Sequence, residues 1–211
     1  MLIDLSVREF LERVASGEPV PGGGSIAALA AALGAALAEM VARLTVGRQN
    51  NADLDREMTS LINRAGNLRE ELTRAVDRDS EAYTKVIQAY RMPKATDDEK
   101  RLRHDAIQEA FKEAARVPYT VAEMAVEILG ICGTAIEKGN KNAATDGLAG
   151  ALMARSAVMA AVANVRINLQ AITDKDFTNK TSAETDSLEQ RAAALEQKIH
   201  DASEAFVKGG R

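Results

Sequence analysis

An all-α fold, a bundle of about six to seven helices with several of them long, is what this sequence predicts, on three observations. Apolar residues recur at steps of three and four through nearly the whole chain, which places them on one face of a helix. No alternating strand pattern and no fixed-period repeat interrupts them. The composition is 46% hydrophobic but 3% aromatic, with no tryptophan and four prolines in 211 residues, so the core is built from alanine and aliphatic side chains suited to helices. Three Ser/Thr-x-x-Glu capping boxes, with Gly, Asn and Pro between the apolar runs, supply the boundaries.

Taken in order, Ser6-Val-Arg-Glu9 opens a short first helix whose apolar stripe is Val7, Phe10, Leu11 and Val14, and Gly17 ends it. Pro19-Val20-Pro21-Gly22-Gly23-Gly24-Ser25 is a tight, bare turn, and Ser25 is expected to cap a second helix from Ile26 to about Thr45. There Leu29, Leu33, Leu37, Met40 or Val41 and Leu44 form a stripe of large residues, while Ala30, Gly34 and Ala38 form a small one that lets another helix approach closely. Asn50–Ala52 make a break, and a long third helix runs from about Asp53 to Tyr90. Met92-Pro93 stops it, because the residue before proline avoids the helical region.

Thr96-Asp-Asp-Glu99 opens a fourth helix with Leu102, Ala106, Ile107, Ala110, Phe111 and Ala114 turned inward. Pro118 marks a break or kink before a fifth helix that ends at Lys138, with Gly139 and Asn140 as its stop. Thr145 or Asp146 is expected to cap a sixth helix to about Ile172. Thr181-Ser-Ala-Glu184 is expected to cap the last. The two alanine-rich helices are expected to pack closely, across a two-fold homodimer interface.

Length suits one helical domain over 1–211. Net charge is −4, and no basic cluster carries interleaved aromatics, which argues against a nucleic-acid partner. The uncharged run Val20–Ala38 opens on Pro-Gly-Gly-Gly and is mostly alanine, giving too little transfer energy for insertion, so no membrane is expected. The first ten residues mix charge with apolar groups, unlike a secretory signal. Cys132 is the single cysteine; it permits no internal disulfide and suits a reducing, cytoplasmic setting.

Two stretches carry candidate chemistry. The third helix has an apolar face reading Leu68, Leu72, Val76, Asp79, Tyr83, Val86 or Ile87, and Tyr90. Asp79 therefore sits among apolar residues, whereas Asp77 is expected on the polar face with Arg74 and Glu81. A carboxylate in such surroundings is either ion-paired with another helix or has its pKa raised, as a general acid or base near neutrality needs. The glycine turn, Gly22, Gly23 and Gly24, can aim bare N–H groups and the positive end of a helix at an anion, or can serve only as a hinge. In the connection Gly139–Gly147, Asn140, Lys141 and Asp146 offer polar groups. Asn164 and Asn168 share a face of the sixth helix with Asp146, but Asp146 and Asn164 lie five turns apart, about 27 Å. The two asparagines either meet a ligand or fix helix register. Lys94, held beside Pro93, can reach an anionic group. No metal is expected, since neither His104 nor His200 follows a glutamate at the spacing of di-iron bundles.

Six segments in order are Pro21-Gly-Gly-Gly-Ser25, Leu44-Thr-Val-Gly47, Asp79-Ser-Glu-Ala-Tyr83, Met92-Pro-Lys-Ala-Thr96, Glu137-Lys-Gly-Asn140 with Thr145-Asp146, and Asn164-Val-Arg-Ile-Asn168. Together they resemble the cyclodeaminase/cyclohydrolase family of tetrahydrofolate enzymes over roughly Phe10 to Asp174, without the formiminotransferase half to which some members are fused. The resemblance implies an all-helical homodimer with a folate in a cleft near the subunit interface. It implies a tetrahydrofolate derivative as substrate and Asp79 at the family's acidic catalytic position, as base or acid, with Pro21 to Ser25, Tyr83, Lys94, Asn140, Lys141, Asp146, Asn164 and Asn168 as candidate substrate contacts. The amides of the glycine turn and Lys94 or Lys141 are the expected partners of the substrate's carboxylates. One departure is Arg48-Gln49-Asn50-Asn51, where the family tends to place basic residues and an aromatic. The rival expectations are a non-catalytic all-helical dimeric scaffold and a folate-binding relative with a different one-carbon reaction.

Overall fold

Several helices start where a side chain can satisfy the free backbone groups at the helix end. The computed structural model describes residues 1–207, with side chains through residue 203. Among these residues there are six α-helices and no strand. They are α1 (Val7–Val14), α2 (Gly23–Arg43), α3 (Ala52–Tyr90), α4 (Asp97–Lys138), α5 (Ala144–Leu169) and α6 (Lys175–Val207), with 3-10 turns at Leu2–Asp4 and Lys141–Ala143. Both early capping boxes form: Ser6 with Glu9 opens α1 and Thr96 with Glu99 opens α4. The Asn51 carboxamide accepts from the Asp53 and Leu54 N–H groups to open α3.

α2 is the hub, packed against α3, α4 and α5, while α6 covers α4 and α5. Its inner face is the small-residue one: Ala28, Ala31, Ala35 and Ala38 are fully buried. Gly34 meets Gly150 of α5, where a Cβ at Gly34 would lie 2.7 Å from the Gly150 carbonyl oxygen. The large stripe faces outward, with Leu33 50% and Met40 37% exposed. Alanine lets helix axes draw together, and the buried area is then recovered by many close contacts rather than by long side chains.

Several expectations change. Residues 97–138 form one helix, with Pro118 inside it. Proline removes the N–H that would bond the carbonyl four residues earlier, and that carbonyl, Ala114 O, accepts instead from Asn168 Nδ2 at 2.9 Å. A side chain from α5 thus repairs the ladder, and no break is needed. α5 starts at Ala144 with no side-chain cap, so neither Thr145 nor Asp146 caps it. α6 starts at Lys175, where the Asp174 carboxylate accepts from the Phe177 N–H at 3.1 Å. Thr181 is therefore interior to that helix and buried. On α1 only Phe10 is buried, and Leu102 of α4 points outward.

Asp77 is buried rather than on the polar face. The N-terminal 3-10 turn folds over it, and the Leu2 N–H donates to Asp77 Oδ1 at 2.6 Å. Periodicity of α3 alone could not show that a separate segment would cover this side. Stretches of α2, α4 and residues 141–169 are long and apolar enough to cross a membrane by length and composition; in this fold about half of each such stretch packs against the other helices.

Candidate active site

A cavity of about 470 Å³ opens where the glycine turn meets α3, α4 and α5. Its lining combines Pro19, Val20 and Gly22–Gly24 with Asp79, Tyr83, Val86 and Tyr90 of α3, Phe111 and Ala114 of α4, and Asn164, Ile167 and Asn168 of α5. Among the described residues Asp79 is its one charged side chain. The apolar walls come from the continuation of the Asp79 face along α3, since residues three, four, seven and eleven positions on share that face.

The glycines allow this approach. Helix α2 begins at Gly23 with Gly22 as its N-cap, so Ser25 lies within the first turn and does not cap it. A Cβ at Gly24 would overlap the Asp79 carboxylate, and one at Gly23 would lie 3.1 Å from Asn164 Nδ2. The positive end of α2 therefore faces the protein's own carboxylate. Ser25 turns its hydroxyl across to α3, where it donates to Val76 O at 2.9 Å and meets Asp79 Oδ2 at 3.0 Å. Burial pushes the Asp79 carboxyl above the ordinary carboxylate range, while the Ser25 hydroxyl and N–H act in the opposite direction. Among the described residues no ion pair to Asp79 forms, so the expected alternative of an interhelical ion pair is not found there.

The floor is set by two carboxamides. Asn164 Nδ2 donates to Ala160 O at 2.9 Å. Asn168 Nδ2 donates to both Ala114 O and Asn164 O, at 2.9 and 2.8 Å. Both N–H bonds of Asn168 are thus committed to carbonyls, and Oδ1 is the group it retains for a ligand. Register fixing and cavity lining turn out to be compatible roles for one residue.

The other expected site residues do not join this cavity. Pro21 is buried beneath the turn, and Lys94 is exposed beyond the end of α3. Asn140, Lys141 and Asp146 lie at the opposite end of α2, a helix of 21 residues, roughly 30 Å long at ~1.5 Å per residue. There Asn140 N donates to Thr45 Oγ1 at 2.9 Å and Lys141 Nζ to Glu137 O at 2.7 Å. Among the described residues the cavity lining includes no lysine to receive a substrate carboxylate. Sequence reasoning also missed Tyr90 and Phe111 as lining groups. The protein has three Tyr and four Phe, and three of these seven converge here; the run of Asp79, Tyr83 and Tyr90 along one face was the available signal.

The family model described as Formiminotransferase-cyclodeaminase matches residues 6–187. The chain is 34% identical over 202 residues to a methenyltetrahydrofolate cyclohydrolase of Methylorubrum extorquens, covering 96% of this chain and 97% of the relative. It is 37% identical over 191 residues to a formimidoyltransferase-cyclodeaminase of Mus musculus, where the match covers 90% of this chain and 35% of the relative. The chain thus spans about a third of that longer relative. A crystal structure of formiminotetrahydrofolate cyclodeaminase from Thermotoga maritima superposes with a TM-score of 0.88 at 31% identity, covering 98% of this chain and all of that one.

Proposed function

The chain belongs to the formiminotransferase-cyclodeaminase family, and from that premise we propose that Asp79 and its cavity carry out proton transfer on a tetrahydrofolate one-carbon unit. The protein is a folate-dependent one-carbon enzyme of cyclohydrolase or cyclodeaminase type. The observation that carries the site assignment is the half-buried Asp79 carboxylate, which among the described residues has no ion-pair partner and is the one charged side chain in an apolar and carboxamide-lined cavity.

Both reactions centre on one carbon between N5 and N10 of the reduced folate. In the hydrolytic direction, water adds to the cationic methenyl carbon and Asp79 takes the proton released. The C–N5 bond of the tetrahedral adduct then breaks, N5 receives a proton, and 10-formyltetrahydrofolate leaves. In the deaminating direction, N10 attacks the carbon of the protonated formimino group of 5-formiminotetrahydrofolate. The N10 proton passes to a base, the departing nitrogen gains a proton, and ammonia leaves the methenyl product. A single carboxyl beside the reacting carbon can take and return these protons, and while ionised it stabilises the positive carbon. A raised pKa suits both tasks, because it brings the group closer to the pH at which it must take and return a proton.

Tyr83, Tyr90 and Phe111 offer faces for a planar ring, and Asn168 Oδ1 an acceptor for its N–H groups. The folate glutamate tail then extends out of the cavity, whose walls carry no cation among the described residues. The protein acts as a two-fold homodimer joined through the outward stripe of α2, Leu33, Met40 and Leu44, since such a continuous apolar stripe is a candidate contact surface. Its compartment is the reducing cytoplasm, in keeping with a buried Cys132 whose thiol is pushed up to about 12 by burial. The deciding experiment measures loss of methenyl-folate absorbance and release of ammonia from 5-formiminotetrahydrofolate side by side. Activity in either assay that survives Asp79→Asn at near wild-type level would remove the assignment.

A further inference from the structure

Resting on the reading of Asp79 as the proton-transfer group, we propose that Ser25 is its positioning residue, its hydroxyl fixing the rotation of the Asp79 carboxyl and completing its hydrogen bonding in both protonation states. Ser25 is fully buried. Its single hydroxyl proton has three oxygens within reach: Val76 O at 2.9 Å, Asp79 Oδ2 at 3.0 Å and Ser80 Oγ at 3.2 Å. A carbonyl only accepts, an ionised carboxylate only accepts, and a carboxylic acid can donate. With Asp79 ionised, the Ser25 proton points to Oδ2 and the Ser80 hydroxyl can donate to Ser25 Oγ. With Asp79 protonated on Oδ2, the acid donates to Ser25, and the Ser25 proton turns to Val76 O. A rotation of one hydroxyl hydrogen completes the network in either state, with no heavy atom displaced.

The backbone holds the same carboxyl from the other side. Gly24, adjacent to Ser25 in the first turn of α2, packs against the Asp79 carboxylate where any Cβ would overlap it. Gly24 and Ser25 therefore form a two-sided clamp made from one helical turn. That is why a serine stands inside the helix here, with its side chain spent on a distant residue instead of on its own first-turn N–H groups.

Few other groups compete for control of this carboxyl. Around the cavity α2 contributes Gly23 and Gly24, α4 contributes Phe111 and Ala114, and α5 contributes Asn164, Ile167 and Asn168, none of them ionisable. On α3 itself Tyr83 and Tyr90 line the same cavity, Arg78 and Glu81 are exposed, and Asp77 is turned to the Leu2 N–H. The Ser25 donor is therefore the main local opposition to the effect of burial on Asp79.

The test follows the Asp79 carboxyl directly, by ¹³C NMR titration of aspartate-labelled full-length protein without substrate, with Asp79→Asn identifying the resonance. Alongside it the pH profile of kcat/KM is measured. Ser25→Ala and Ser25→Cys should each move the Asp79 titration, and the acid limb of the profile, up by about one pH unit. Activity at neutral pH should fall by about tenfold or more. Ser25→Thr, which keeps the hydroxyl, should return both toward wild type. The Cys variant, close to serine in volume, decides the matter if the Ala variant unfolds. An unmoved titration in the folded Cys or Ala variant overturns the proposal, as does a Thr variant shifted as far as Ala. If Asp79→Asn stays active while the titration still responds to Ser25, the clamp stands and the catalytic assignment falls.

Discussion

The two ends of α2 use the same kinds of residue to opposite effect. At its start, glycines and a serine press against an aspartate; at its end, Thr45, Gly139 and Asn140 press against one another. At the far end the hydrogen bonds close on themselves. Thr45 Oγ1 donates to Val41 O at 2.7 Å and accepts from Asn140 N at 2.9 Å. Asn140 Nδ2 donates to Leu44 O at 3.3 Å, and its Oδ1 accepts from Asn142 N at 3.0 Å. At the near end a carboxylate remains without a counter-charge among the described residues, beside a cavity. Polar residue types do not separate a site from a joint. Whether their bonding capacity is used up does.

The largest effect expected is on turnover. Asp79→Asn should lower kcat by roughly 10²–10⁴-fold, the usual worth of a placed acid–base group. The same change should raise the melting temperature at neutral pH. The sign follows from burial: the Asp79 carboxyl titrates higher in the folded state than in the unfolded chain, so the folded state bears an unfavourable charge once pH exceeds both values. Below the ordinary carboxylate range both states are protonated, and the difference between variant and wild type should vanish. Thermal melts from acid to neutral pH check this, and an Asn variant less stable than wild type near neutrality would contradict the unpaired charge.

A glycine at each end gives the sharpest contrast. Gly24→Ala should cut kcat/KM by about 10²-fold, because displacement of a reacting group by even an ångström is that costly. Its effect on stability should be small, since the atom it meets is the end of a movable side chain. Gly139→Ala meets the Ala135 carbonyl, which is backbone, and Thr45 Oγ1 at 3.1 Å. It should lose about 1–3 kcal/mol of stability, as overpacking does, while the folded fraction keeps wild-type turnover. Paired denaturation and steady-state kinetics settle which end is which. Thr45→Val, a smaller change at the same joint, should lose about 1–2 kcal/mol through the bonds to Val41 O and Asn140 N.

Much of this contrast was legible in the sequence. The capping boxes at Ser6 and Thr96, the stops at Pro93 and Gly139, and the cavity-facing position of Asp79 all follow from local rules of spacing and backbone geometry. What escaped depended on contacts distant in sequence. Asp77 is covered by a turn 75 residues away, and nothing in the period of α3 announces that. Ser25 is a good cap by residue type, yet its hydroxyl is claimed by a carboxylate on another helix. The leucine stripe of α2 faces outward because the alanine side allows closer approach to three helices at once. Asn140, Lys141 and Asp146 were candidates because of their side chains, and only the fold shows that α2 separates them from the cavity.

The smallest effect tests the cavity floor, where joint and site coincide in one residue. Asn168→Ala strips the donor from Ala114 O, the carbonyl left open by Pro118, and should cost about 1–2 kcal/mol because a buried acceptor goes unpaired. Pro118→Ala in that background restores an N–H within the helix four residues after Ala114, so it should recover most of the loss. In the wild-type background the same Pro118→Ala change gains less, because Asn168 already serves that carbonyl. The coupling between the two positions should therefore be on the order of 1 kcal/mol in a double-mutant cycle. Substrate affinity should behave differently. The Oδ1 acceptor is gone in both Asn168→Ala proteins, so KM should be raised in the single and the double variant alike. Recovery of stability without recovery of KM would separate the two roles of Asn168. Recovery of both would assign the residue wholly to the helix ladder and leave the floor of the cavity with a single reading carboxamide, Asn164.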